Sequence, residues 1–389
     1  MVTDEMNESL IREFTRDEAV VALKQIHPNK APRLEGMFAV FFQKHWSIVG
    51  NNITNMILYV LNHNIPILEL NKTNIALIPK ISNPKRMTDF RLISLCNVVY
   101  KLISKILASR LKPLLPQIIS ENQSAVTSDR LITDNVSVAF ELMHYLDHKT
   151  VGKEGFLAVK LDMSKAFDRV EWGFISKVME RMGFCNRWRD LVMQCITSIS
   201  YSVLINGVAH GNVHPSRGLR QGDPLSPSLF LLCAEGLLAL IHQIASNKLI
   251  TGISIARGCP KVTHIFFAND SILFCKASLE EFHLLRSTLM EYEEASGQKV
   301  NTDKSSIFFS PNTALATRDE IFNILGPMQN SRHTKYLGLP SLIGKSKKQV
   351  FEILKERVGQ KLVGWKGIFL WVGKKFLSKQ ELLIFQHTL

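Results

Sequence analysis

The stretch HIFFANDSILF, residues 264–274, sets two apolar arms on either side of an Ala-Asn-Asp tip. Asn and Asp both tolerate the positive φ that a tight turn asks for, so the stretch reads as a β-hairpin with Asn269 and Asp270 at its tip. A tight tip is a rigid mount for an oxygen ligand. An Asn-Asp tip is also ordinary turn chemistry, so the rest of the chain must decide between the two.

A second carboxylate stands at the end of another strand. GFLAVKLDM, residues 155–163, is a strand that delivers Asp162 at its C-terminal end, 108 residues before Asp270. Between the two lies RGLRQGDPLSP, residues 217–227, a Gly- and Pro-rich loop whose backbone can approach a ligand closely. Mg²⁺ takes oxygen ligands, often one or two carboxylates together with substrate phosphates. Two such ions roughly 3.5–4 Å apart activate an attacking hydroxyl and stabilise an in-line displacement at phosphorus. Singly, an Asp at a strand end is most often a turn residue.

The composition is compatible with that chemistry. The chain has 389 residues, 46% of them hydrophobic, which is enough to bury a core of two or three subdomains. Lys and Arg number 47 against 34 Asp and Glu, a net charge of +13 that favours a polyanionic partner, nucleic acid or an anionic membrane. The most apolar segment, 225–244, contains Pro227, Glu235 and His242 and reads as a buried helix rather than a membrane span. The polar, acidic start lacks the features of a signal peptide. Six scattered cysteines form no C-x-x-C pair, which suits reduced thiols in an intracellular protein, nuclear or cytoplasmic, and gives no zinc site.

Residues 1–70 read as a helical extension, with Thr15 and Glu18 at capping-box spacing. NKAPRLEG (29–36) reads as a loop and TNIALIPK (73–80) as a strand. Residues 97–116 form an amphipathic helix, with Val98, Leu102, Ile106 and Leu111 on one face and Lys101, Lys105, Arg110 and Lys112 keeping the rest basic. SKAFDRVEW reads as a turn and helix, and 201–213 as a hairpin. From Gly344 to Lys375 basic residues dominate, with Trp365 and Trp371 interspersed, either a nucleic-acid surface or a solvated helix face with two core tryptophans.

Taken in order, the blocks IALIPK, DFRLISLCNVVYKLISKILASRLKPLLP, DRLITDN, LDMSKAFDRVEW, SRGLRQGDPLSPSLFLLCAEGL, FFAND, ASGQKVNTDKSSIFFS and KYLGLPSLIG resemble the reverse transcriptases of non-LTR (LINE-type) retrotransposons, particularly the plant lineages. The likeness runs from about residue 10 to 375. LITDN and KYLGLP favour this family over the group II intron maturases, which share its palm. The resemblance implies an α+β, right-hand polymerase fold: a helical extension over 1–70, fingers over 71–150, palm over 151–345 and the basic start of a partial thumb over 346–389. It implies an RNA template, a DNA primer, dNTPs and two Mg²⁺ ions. It also implies the site residues. Asp162 and Asp270 would hold metal; Phe167 would be the gate against a ribose 2′-hydroxyl; Gln221 and Gly222 would line the pocket for template and nucleotide. Lys80 and Arg91 would meet the triphosphate, Lys304 would lie near the leaving pyrophosphate, and Tyr336, Leu337 and Gly338 would grip the primer. Asp168 would support the turn.

The sequence departs from the family where it matters most. The family's hairpin reads Phe-Ala-Asp-Asp; here its first Asp, the main partner of the motif-A Asp, is Asn269. Asn keeps a carbonyl oxygen and loses a charge, so the expectation is a folded palm with an impaired metal site. APRLEG replaces a Gly-Pro-Asp-Gly type loop, Leu92 stands for Pro, Val126 for an aromatic and Asp129 for Gly. After Lys375 the chain reads FLSKQ where relatives continue much like Ile-Leu-Ile-Lys-Ala, two readings one base apart. A frameshift there would put 376–389 out of frame, and a genomic sequence without the overlapping frame would refute it. Three readings follow: an RNA-directed DNA polymerase, a nucleic-acid-binding pseudoenzyme, and a degenerate, truncated relic.

Overall fold

The computed structural model describes the chain except residues 29–36, 126, 128, 129, 257, 326–328, 331–334, 338, 341–351, 353, 354 and 357–389. The loop at 29–36, Val126, Asp129, Gly338, the basic segment 344–375 with its tryptophans and the tail 376–389 therefore lie outside the described residues, apart from Glu352, Lys355 and Glu356.

The helices are α1 (Asp4–Ile11), α2 (Arg16–Gln25), α3 (Ala39–Lys44), α4 (Trp46–His63), α5 (Val98–Leu111), α6 (Leu115–Ile118), α7 (Ile132–His148), α8 (Trp172–Met182), α9 (Asn186–Thr197), α10 (Ser226–Ser246), α11 (Leu279–Ser296) and α12 (Leu315–Leu325). The strands are β1 (Lys72–Pro79), β2 (Phe90–Cys96), β3 (Phe156–Leu161), β4 (Ser200–Ile205), β5 (Val208–Val213), β6 (His264–Phe267), β7 (Asp270–Lys276), β8 (Ser306–Phe309), β9 (Gln329–Asn330), β10 (Lys335–Tyr336) and β11 (Leu339–Pro340). They sort into two compact units, each assembled from three stretches of chain.

The first unit comprises Met1–Asp129, Met163–Gln243 and Ser287–Val300. Its sheet has the order β2-β1-β4-β5. β1 runs antiparallel to β2 and parallel to β4, a pairing between segments more than a hundred residues apart. The capping box forms as its spacing predicts: Thr15 accepts from the Glu18 N–H, and the Glu18 carboxylate accepts from the Thr15 N–H. That carboxylate also takes the Arg110 Nε at 2.7 Å, while Arg110 lies over the Phe14 ring and donates to Leu10 O. The sequence places Arg110 on the basic side of α5, away from its apolar face. It is buried, because an ion pair and backbone carbonyls satisfy its fork of donors. Val98, Leu102, Ile106 and Leu111 are buried as their spacing predicts. α10 is the one described helix long and apolar enough to cross a membrane, and more than half of its apolar window is buried inside the protein.

The second unit comprises Arg130–Asp162, Ile244–Arg286 and Asn301–Leu389. Its sheet has the order β6-β7-β3-β8-β9. β3 is central and antiparallel to both neighbours, so its run Leu157, Ala158, Val159 and Leu161 is buried. α7 lays Leu142, Met143 and Leu146 against Ala158, Ile272 and Phe274 of the sheet. Each apolar side chain buried this fully contributes about 1.5–3 kcal/mol relative to exposure. That packing makes the ends of β3 and β7 rigid, which is what a site needs from its scaffold.

Candidate active site

The hairpin read from 264–274 forms. β6 and β7 pair antiparallel from His264↔Leu273 to Phe267↔Asp270, leaving Ala268 and Asn269 as a two-residue turn. Ala268 carries φ +53°, in the region that favours Gly, and Asn269 does not have positive φ. An Ala in this region is strained and persists only where its surroundings impose it, as they do at working sites. Lys165, in the turn after Asp162, and Leu337, between β10 and β11, have φ +50° as well. Three non-Gly residues with positive φ thus fall inside three of the motifs singled out above.

Asp162 follows β3 directly. The ladder pairs Leu161 with Ser271, so the next step sets Asp162 opposite Asp270. The Asp162 backbone is fixed on both sides: its N–H donates to Ser305 Oγ at 3.0 Å and its carbonyl accepts from Asn301 N at 2.8 Å. Burial pushes the Asp270 carboxyl above its ordinary range; Lys160 opposes that shift and Asp162 adds to it. Lys160 lies two residues before Asp162 and so on the same face of β3. It was missed in the sequence, although strand alternation from Asp162 points straight to it. Lys304 sits with Nζ 4.0 Å from Asp162 Oδ2, its side chain 72% exposed, a weak pair.

Behind the hairpin, α7 supplies a second residue that went unread. Asn135 Nδ2 donates to Phe266 O at 2.8 Å, bracing β6 two residues before the turn, and to the Tyr336 hydroxyl at 3.3 Å. Tyr336 is 2% exposed. Burial raises its phenol, Asp270 raises it further, and the Asn135 hydrogen bond opposes them. The rings and chains of Tyr336 and Leu337 turn into the core beneath the sheet. These are the two side chains expected at the primer, and the structure packs both on the core.

The other expected residues lie in the first unit. SKAFDRVEW is a turn over 164–169, and the helix after it starts only at Trp172, later than read. Phe167 is half-buried, stacked on Phe230 with centroids 4.8 Å apart and 12° between planes. Its carbonyl accepts from Leu219 N at 2.7 Å, which ties it to the Gly-rich loop. That loop returns to β2 through Ser94 N–H donating to Gln221 O at 3.2 Å, and Gly222 has φ +100°. Lys80 and Arg91 are exposed at one end of the β1–β2 ladder, Lys80 Nζ donating to Thr88 O at 2.9 Å.

The donor set of the second unit is two carboxylates and the Asn269 amide, all oxygen and suited to a hard divalent cation. Among the described residues no group of three His, Cys, Asp or Glu side chains converges.

Comparison with known proteins gives the family. Over 368 residues the chain is 28% identical to the "Transposon TX1 uncharacterized 149 kDa protein" of Xenopus laevis, covering 94% of this chain and 27% of that protein. It is 30% identical over 227 residues to the "Retrovirus-related Pol polyprotein from type-2 retrotransposable element R2DM" of Drosophila melanogaster, 58% of this chain and 20% of that one. A third relative, the Pol polyprotein from a type-1 R2 element of Popillia japonica, is 24% identical over 291 residues, 72% of this chain and 39% of the relative. The chain thus spans well under half the length of each of these. The profile of the family described as "Reverse transcriptase (RNA-dependent DNA polymerase)" matches residues 78–341, more than half of the sequence, and to that family the chain belongs.

Proposed function

We propose that this chain is the polymerase region of a LINE-type element, an RNA-directed DNA polymerase whose metal site is impaired by Asn269. Its relatives among transposon TX1 and R2 element proteins support the LINE-type reading. The observation that carries the chemistry is Asp162 opposite Asp270, electrostatically coupled, beside a strained turn. Bound Mg²⁺ would lower the pKa of the primer 3′-hydroxyl and neutralise charge on the phosphate. Asp162 and Asp270 would hold it, with the Asn269 carbonyl as a neutral third donor. Lys160 counters the crowding of the two carboxylates, and Asn135 braces β6. Phe167 would exclude a 2′-hydroxyl, with Phe230 stacked behind it. Gln221 and Gly222 would meet template and nucleotide, Lys80 and Arg91 the triphosphate, and Lys304 the leaving pyrophosphate.

The test is primer extension on an RNA template with Mg²⁺, comparing the chain as it stands with Asn269→Asp. Extension by the Asp variant alone supports an intact palm short of one charge. Absence of extension by both favours the second reading, a non-catalytic nucleic-acid binder. Asn269 and the +13 charge favour that reading, and salt-dependent binding of a primer–template without extension would be its mark.

A further inference from the structure

Deep in the first unit lies an ion pair to which the roles above give no part. Arg220 and Asp223 flank the Gln221–Gly222 turn, 2% and 4% exposed, with Nη2 2.9 Å from Oδ2. A buried pair of this kind is costly to desolvate unless every remaining lone pair and proton is matched. Here both carboxylate oxygens and both Nη groups find partners. Asp223 accepts from the Tyr100 hydroxyl at 2.6 Å, from the Ser104 hydroxyl and from Leu225 N at 2.9 Å. Arg220 donates to Asn71 Oδ1, to Thr73 Oγ1 at 3.2 Å and to Cys195 O at 2.9 Å, with its guanidinium 3.9 Å over the Tyr100 ring.

The placement says what the pair is for. Replacing a satisfied buried ion pair by apolar groups is often neutral or stabilising, so fold stability alone does not call for it. What the network fixes is geometry. One anchor precedes Gln221 and the other follows Gly222, and both are bolted to β1 or α5. The turn between them meets β2 where Ser94 N–H donates to Gln221 O.

We propose that Tyr100, Arg220 and Asp223 are positioning residues for the incoming nucleotide, a buried clamp that holds the Gln221–Gly222 turn in its binding shape. This rests on the polymerase reading above. The Tyr100 hydroxyl is the part of the clamp that can be removed most gently, because Tyr100→Phe keeps the ring under the guanidinium.

The experiment uses the full chain, alone and with Asn269→Asp, in parallel with Tyr100→Phe and Ser104→Ala. Amide exchange is followed by mass spectrometry. Dissociation constants are measured for dGTP on a terminated primer with an RNA template cytosine, and for Mn²⁺ by paramagnetic resonance. Losing one such hydrogen bond should raise exchange at Ser94 and over 219–225, and weaken dGTP binding, by about tenfold each. Mn²⁺ affinity should not move. Unchanged exchange at Ser94 overturns the clamp. Exchange rising evenly along the chain, with dGTP and Mn²⁺ affinity falling together, overturns it too, since that is a merely structural loss. If the unsubstituted and Asn269→Asp chains bind no dGTP, the nucleotide role falls together with the polymerase reading. A Ser94 response in that case shows that the reading failed and the mechanical coupling did not.

Discussion

Asn269→Asp changes one atom and one charge at the tip of the β6–β7 hairpin. Because Asn269 does not have positive φ and pairs with nothing in the ladder, Asp fits the same turn without rearrangement. At about 4 Å and an effective dielectric near 20, one unit-charge interaction is worth roughly 4 kcal/mol. At about 1.4 kcal/mol per decade this is on the order of a thousandfold in rate, and a dication makes that figure conservative. Without metal the substitution has the opposite effect. A third carboxylate joins Asp162 and Asp270, whose own carboxyl is already held up by burial and by Asp162. The metal-free variant should therefore be less stable by about 1 kcal/mol, and saturating Mg²⁺ should more than restore it through linkage. Single-turnover primer extension reads the first effect and thermal melts with and without Mg²⁺ the second. An unmodified chain that extends within about tenfold of the Asp variant would refute the electrostatic reasoning. A variant whose melt ignores Mg²⁺ would show that the site does not hold the ion.

Three further outcomes test the scaffold. Glu18→Gln should destabilise by about 2–3 kcal/mol in denaturant melts, since it leaves the buried Arg110 without its carboxylate. The Glu18 carboxyl is lowered overall: burial opposes the shift, but Arg110 and the Thr15 N–H outweigh it. A lowered carboxyl adds stability above its unfolded pKa that is lost as pH falls through the folded one, so the gap between wild type and Glu18→Gln should close in acid; a pH-independent gap would contradict the pairing. Gly297→Ala should cost upwards of about 2 kcal/mol, because φ is +73° and the new Cβ would lie 2.5 Å from Arg169 O. Asn135→Ala should cost about 1–3 kcal/mol and speed amide exchange along β6 ahead of the rest of its sheet; uniform exchange would deny it the bracing role.

What the sequence determined by itself was local. The two apolar arms around the Asn269 tip, the apolar run before Asp162, the Thr15 and Glu18 spacing and the apolar face of α5 are set by neighbours within one or two turns of chain, and each formed as read. The ordered motifs also carried the family, because their residue types and spacings belong to the linear chain. Tertiary structure alone decided which distant segments share an environment. Sequence order has no term for the parallel seating of β1 beside β4 or for the opposition of Asp162 and Asp270 across β3 and β7. Arg110, read on the basic side of α5, and Tyr336, expected at the primer, are both buried. Desolvation disfavours a polar group only until partners satisfy it, and those partners, Glu18 for one and Asn135 for the other, lie 92 and 201 residues away.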